Sequence, residues 1–427
     1  MKIKLSTLAA LLLVHFSGYS QSAETLITQG RAYLAAHDLA NANASFAGAV
    51  QASPNNETAN ALLAATRLLV LPGQPAAQGF MDRLGITPSG RDIYHWTARL
   101  PMDSEGRPLS IPNMNFEEGI ALLRTNLLPE VTAAEANLAK VVSTNFLLNL
   151  SSNETAIADV SVDYGDILLL RAMLHAVEYL GYTLNGQNLS IQLSAIYAFA
   201  TNKATTLEQV AADYPSLFTF STTNDLAAAK AAFQNAVDRY MDASAWIRSR
   251  NPGVTRLFNY DPSQSEDESR FRQLVADLKN SLNGPVAISL NNNYTIHLAR
   301  HFDGSTSFRQ MLPDFYQNGV VLGSLPDPTF GGLVFGLTAP DVEEFLGGRF
   351  DMYPVFRSVG IRADKQCQLQ LISLDSRSYA VEGSSDMRVW SFLGYHSSTN
   401  GVLVFTDPDA RGLTRRFYRA FEVPSPR

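Results

Sequence analysis

Apolar residues recur every third or fourth position from residue 23 to about residue 282, and the pattern turns to alternation after Pro285. The spacing predicts a helix pair over 23–52, with Leu26, Gly30 and Tyr33 on the first helix and Ala42, Phe46 and Ala49 on the second, closed by Pro54. One period on, Ala64, Ala76, Phe80 and Pro88 hold the equivalent positions around the Leu71-Pro72-Gly73-Gln74-Pro75 turn, with Arg67 in place of the tyrosine. Residues 92–114 read as a linking loop. Helices are expected over Phe116–Leu128, Val131–Leu150, Tyr164–Tyr182, Leu189–Asn202, Leu226–Arg250 and Glu266–Leu282, with Pro129 marking a start and Asn283-Gly284-Pro285 a stop. Val286–Leu290 and Tyr294–Leu298 predict a hairpin, and the Gly- and Pro-rich stretch 303–360 predicts ordered irregular chain. Short strands follow at Gln366–Ile372, Ser378–Gly383, Val389–Gly394, Val402–Thr406 and Arg416–Val423.

Two stretches carry a resemblance. Residues 23–56 are similar to one tetratricopeptide unit: Gly30 and Tyr33 supply the small residue and the aromatic of the first helix, and Ala42, Phe46 and Ala49 face them. At the other end, Tyr379–Asp386, Trp390, the Val404-Phe405-Thr406-Asp407-Pro408 turn and Arg416-Phe417-Tyr418-Arg419 resemble the small C-terminal β-sandwich of exported proteins from Verrucomicrobia and related bacteria. The resemblance implies an exported product with an appended module and brings no catalytic activity. The expected fold is therefore multidomain: an all-α N-terminal part, made of tetratricopeptide-like hairpins (23–90) and a helical domain (115–284), then a hairpin and irregular wrap (285–360), then an all-β sandwich (361–427).

Lys2 and Lys4 precede an apolar run, Leu5–Phe16, of signal-peptide length, and small residues follow from Ser17 to Ala23. The expectation is a leader over 1–22 and a secreted or envelope protein. A cut after Ser22 suits the small-residue rule, and cuts after Ser20 or Ala23 suit it too. No later stretch reads as a membrane span. Net charge is −7, from 33 Lys and Arg against 40 Asp and Glu, which argues against a nucleic-acid surface. The single cysteine, Cys367, excludes an internal disulfide and a Cys-rich zinc site, and its alternating context predicts burial.

Candidate chemistry is sparse. His297 and His301 form H-x-x-x-H without the glutamate of a zincin, in a context that reads as strand. Arg171, His175 and Glu178 share a face of the most apolar helix, where they line a polar pocket or form a solvated or internally paired stripe. Asp261–Asp267 lacks the glycine and closing glutamate of a calcium loop and suits a helix N-terminus. Tyr94, Trp96, Trp246, Phe315 and Tyr316 offer surfaces for a sugar or peptide, although most aromatics at this composition serve the core. No cofactor is implied. The favoured function is a non-catalytic binding or scaffold protein that takes a protein or peptide partner on its repeat surface, through Gln29, Arg31, His37, Asn60 and Arg67. The alternative is a secreted enzyme acting on glycans through dispersed carboxylates.

Overall fold

A computed structural model describes residues 21–100, 102, 112–201, 212–251, 253–289, 291–311, 331–336, 355–372, 378–397 and 402–423. Residues 1–20 of the leader expected over 1–22, and Phe315 and Tyr316, lie outside them. The chain forms two compact units. One comprises Met1–Pro112, Gly119–Gly181 and Ala231–Ser265; the other comprises Asn113–Glu118, Tyr182–Lys230 and Glu266–Arg427. The N-terminal half is helical and the C-terminal part holds small antiparallel sheets.

The first unit opens with α1 (Ala23–Ala35), α2 (Leu39–Ala52), α3 (Glu57–Leu69) and α4 (Pro75–Arg83). Each start has a local cause. Ser22, Asp38 and Asn56 cap the first three by accepting the N–H of Thr25, Asn41 and Ala59, and Pro75 occupies the first turn of α4, where no N–H is missed. Gly30 lets α1 and α2 close: a Cβ there would stand 2.4 Å from Phe46 Cε1. Phe46, Ala42 and Ala49 are fully buried as a result. Covering Phe46 alone contributes about 2–3 kcal/mol. The same core takes in Leu62 and Leu63 of α3, Val131, Ala134 and Leu138, then Phe146, Leu148, Val162, Ile167 and Leu174.

Two expectations change here. Phe116–Leu122 (α5) and Leu128–Leu138 (α6) form one helical run, joined through a π-turn at Leu123–Leu127. Pro129 does sit in the first turn of α6, where its missing N–H costs least, but the π-turn leaves no break between α5 and α6. Nor does a helix continue to Leu150. The chain turns after Leu138 because Glu57 Oε1 accepts the N–H groups of Val142 (2.8 Å) and Ser143 (2.7 Å). Leu147–Leu150 (β1) then pairs antiparallel with Val160–Asp163 (β2), so this helical part contains a hairpin. The long helix α7 (Tyr164–Asn185) follows directly. Asp163 and Asp166 at its start are both held by Arg250, and Asp166 Oδ1 also accepts the N–H of Phe258.

In the second unit, α8 (Leu193–Thr201), α9 (Asn224–Arg248, completed in the first unit) and α10 (Ser265–Ser281) precede a three-stranded sheet. Its strands are β3 (Val286–Ile288), β4 (Asn291–Ile296) and β5 (Val334–Phe335), paired antiparallel in that order. The C-terminal strands are β6 (Val355–Ile361), β7 (Cys367–Ile372), β8 (Ser378–Ser384), β9 (Ser391–Ser397), β10 (Val402–Asp407) and β11 (Phe417–Val423). They form two antiparallel sheets, ordered β10-β7-β6 and β11-β8-β9. β6 lies in the stretch expected to be irregular. Its Phe356 packs against a core supplied by Cys367, Leu369, Leu371, Leu403 and Phe405 from one sheet and Tyr379 and Val381 from the other.

The polar residues of the C-terminal motif do structural work. Asp386 Oδ1 accepts the N–H groups of Arg388 and Val389, while Ser384 Oγ accepts those of Asp386 and Met387. Buried Asp407 receives Arg416 Nε at 3.1 Å and the Tyr418 hydroxyl at 3.0 Å. Burial, with Cys367 and Asp407 as neighbours, pushes the Tyr418 phenol far above its ordinary pKa.

Candidate binding cleft

A cleft of about 530 Å³ opens at one end of the first helices. That volume falls within the usual span of ligand sites, roughly 300–1,000 Å³. Leu39, Ala40 and Asn43 form one wall from the first turns of α2. Leu69 and Val70 end α3 against it, and the Pro72–Pro75 turn forms the floor. Arg91, Asp92 and Ile93 close the far side.

Each wall is fixed locally. His37 takes a left-handed backbone (φ 60°) that ends α1 and swings the chain into α2. Asn43 is oriented by the Thr66 hydroxyl, which donates to its Oδ1 at 3.2 Å. The Gln78 amide donates to the Pro72 carbonyl at 2.6 Å and stiffens the turn. Arg91 is the bolt of the far wall. Its guanidinium is almost wholly buried and donates to Gln78 Oε1 (2.6 Å), Asp82 Oδ1 (2.7 Å) and the Ile86 carbonyl. Its Nε is buried with no hydrogen-bond partner among the described residues.

At the rim, Asp92 caps the short turn Ile93–His95. It accepts His95 Nδ1 and the Tyr94 N–H, each at 3.0 Å, and these two bonds hold its pKa below the usual carboxylate range. The Tyr94 ring stacks on His37 with centroids 4.2 Å apart, and Trp96 stands 42% exposed nearby in sequence. The lining combines apolar walls from Leu39, Leu69, Val70 and Ile93 with the polar groups of Asn43, Gln74 and Asp92, of which Asn43 and Asp92 are held by the bonds just given.

The residues expected to bind a partner are placed differently. Arg31 donates to Glu154 through Nε (2.6 Å) and Nη2 (3.0 Å), and to the Asn149 carbonyl at 2.8 Å. Arg67 pairs with Glu130 at 2.8 Å and reaches Asn137 at 3.2 Å. Asn60 is 1% exposed; it donates to the Pro54 and Asn56 carbonyls and accepts from Asn137. These three tie α1 and α3 to the chain around α6 and β1, and their polar groups are engaged within the protein. Gln29 is exposed and donates to the Tyr33 hydroxyl at 3.4 Å. His37 lies beside the cleft through Tyr94. Asn43, Leu69 and Asp92 were not singled out from sequence, and no local signal marks them, since the cleft gathers three separated segments.

The clusters around His175 and His301 are internal. His175 Nδ1 lies 2.8 Å from Glu178 Oε2, and its Nε2 lies 3.3 Å from Glu135 Oε1. Arg171 also reaches Glu135, and the Thr132 hydroxyl donates to Glu178 at 2.5 Å. Burial opposes the charge on His175, but the bonds to Glu135 and Glu178 outweigh it and raise the pKa to about 9. Burial likewise opposes the charge on Glu135, yet His175 and Arg171 hold its pKa below the usual value. A cationic imidazole donates from both nitrogens and has no lone pair for a metal or a substrate proton. The stripe on α7 is thus an internal pairing with α6. α7 is the one described helix long and apolar enough to cross a membrane, and it is partly buried within the protein. His301 stacks on Phe308 at 4.8 Å and its Nδ1 meets the Thr306 carbonyl. Among the described residues no three His, Cys, Asp or Glu side chains are grouped to hold a metal.

No protein-family model, curated protein or solved structure matches the chain.

Proposed function

We propose that this is an exported, non-catalytic binding or scaffold protein that seats an extended, largely apolar segment of a protein or peptide partner in the α2–α3 cleft. The observation that carries the reading is the cleft itself, with leucine, valine and isoleucine walls and a short polar rim. The rim favours a segment bearing one cationic group beside Asp92, because Arg91 is already offset by Asp82.

Two features of the fold support the wider reading. The first helices of the two hairpins begin 34 positions apart, at Ala23 and Glu57, and Gly30 faces Phe46 as a tetratricopeptide unit requires. Two three-stranded sheets that share one core suit a small β-sandwich module. Export is proposed from the leader-like N-terminus. Ser22 caps α1, so removal of the leader after Ser20 keeps the cap, whereas a cut after Ser22 sacrifices about 1 kcal/mol of helix stability.

The test is selection of a displayed random-peptide library on the chain lacking its leader, with Ala40→Trp as the counter-target. Ala40 is exposed on α2 and lines the cleft, so the indole fills the site without entering the core. Enrichment of apolar sequences that bind the parent and not the variant is expected. Peptides that bind both equally, or no enrichment, would rule the cleft out.

A further inference from the structure

A second hollow, of about 390 Å³, lies in the same unit between the start of α7 and the end of α9. Tyr164 and Leu168 line it from α7, and Asp242, Ala245, Trp246 and Ser249 line it from α9 and the residue just beyond. It shares no residue with the cleft above. We propose that this hollow is a subsite for a neutral pyranose ring of a glycan.

Three observations point to that ligand. The first is the pair of rings. Tyr164 and Trp246 meet edge to face, with centroids 5.3 Å apart and planes at 78°, and so form an aromatic corner. A pyranose presents C–H groups on its faces and hydroxyls around its edge, and such a corner covers the faces. The second is that the corner is held in place before anything binds. Gly165 has no side chain, and a Cβ there would stand 2.2 Å from Trp246 Cδ1, so the indole lies directly against the α7 backbone. A ring already immobilised loses little rotamer freedom on binding.

The third observation is the polar complement. Asp242 Oδ2 is held by Arg239 Nη1 at 3.0 Å, and a carboxylate keeps further lone pairs beyond that bond. The Ser249 hydroxyl gives its hydrogen to the Trp246 carbonyl at 2.7 Å, which leaves its oxygen as an acceptor. Both groups therefore present acceptors, which sugar hydroxyls satisfy as donors. The Arg239–Asp242 pair carries no net charge, and an acidic sugar would face the Asp242 carboxylate, so neutral sugars are selected. An apolar peptide side chain would occupy the aromatic corner but make no use of the remaining acceptor lone pairs of Asp242 and Ser249.

The experiment is titration of the leaderless full chain with maltohexaose, cellohexaose, xylohexaose, mannohexaose and chitohexaose, read by tryptophan fluorescence and by calorimetry. At least one is expected to bind and to shift the emission. Asp242→Ala, a change at an exposed side chain, is expected to weaken that binding about tenfold, or ~1.4 kcal/mol. Trp246→Phe should abolish the emission change, while Trp390→Phe, in the C-terminal module, should leave it in place. Thermal unfolding of each variant separates loss of binding from loss of fold. Peptides selected on the cleft should bind Asp242→Ala as they bind the parent, so the two sites succeed or fail separately. Absence of binding by all five sugars, or equal binding by parent and Asp242→Ala, would overturn the assignment.

Discussion

His175 is the side chain whose charge state bears most directly on stability. Its pKa rises from the ordinary 6.5 to about 9 in the folded chain because two glutamates flank it. The folded state therefore binds the proton more tightly than the unfolded one. The resulting stabilisation is complete below pH 6.5 and fades as the pH climbs through 9. Replacing His175 with Gln should cost about 2 kcal/mol near pH 6, since Glu135 keeps Arg171 and Glu178 keeps Thr132. The penalty should shrink steadily between pH 7 and 10 in urea unfolding curves. A penalty that does not vary with pH would mean the imidazole acts by shape alone. The sequence marked Arg171, His175 and Glu178 as one helical stripe. It did not mark Glu135 and Thr132, because partners on another helix are set by packing and not by spacing.

Helices were legible where caps, prolines and apolar spacing agreed. α1 to α4, α7, α9 and α10 fall close to where the apolar spacing, Pro54, the Leu71–Pro75 turn and the Asn283 stop place them. The readings failed where a short apolar run had two uses. Leu147–Leu150 continues a helical stripe as well as it starts a strand, and what settles it is Glu57, some ninety positions earlier, drawing Val142 and Ser143 aside. The cleft was illegible for a related reason: its walls come from three segments, and each wall residue is unremarkable alone. At this scale the crossing of α1 and α2 is the most exposed to substitution. Gly30→Val should destabilise the chain by about 2–3 kcal/mol, because its methyls enter space held by Phe46. Gly73→Val, where a Cβ meets nothing within 4 Å, should cost far less. Thermal melts of the two variants side by side make the comparison, and equal losses would contradict the close crossing.

Across the whole molecule, the first hairpins do not close a core among themselves. Leu62, Leu63 and Phe46 share theirs with Val131, Leu138, Phe146 and Leu174. A fragment of residues 21–100 is therefore expected to show helical circular dichroism without a cooperative melt; a sharp transition would show that the hairpins are self-sufficient. The Arg31–Glu154 pair spans 123 positions, so the partner that fastens the first helix is made long after the helix itself. During synthesis the leading hundred residues wait, unfastened, until much of the chain behind them exists. For an exported polypeptide, as proposed above, that delay leaves the front end unfastened while the chain is still being made, and final closure waits for residues near Glu154.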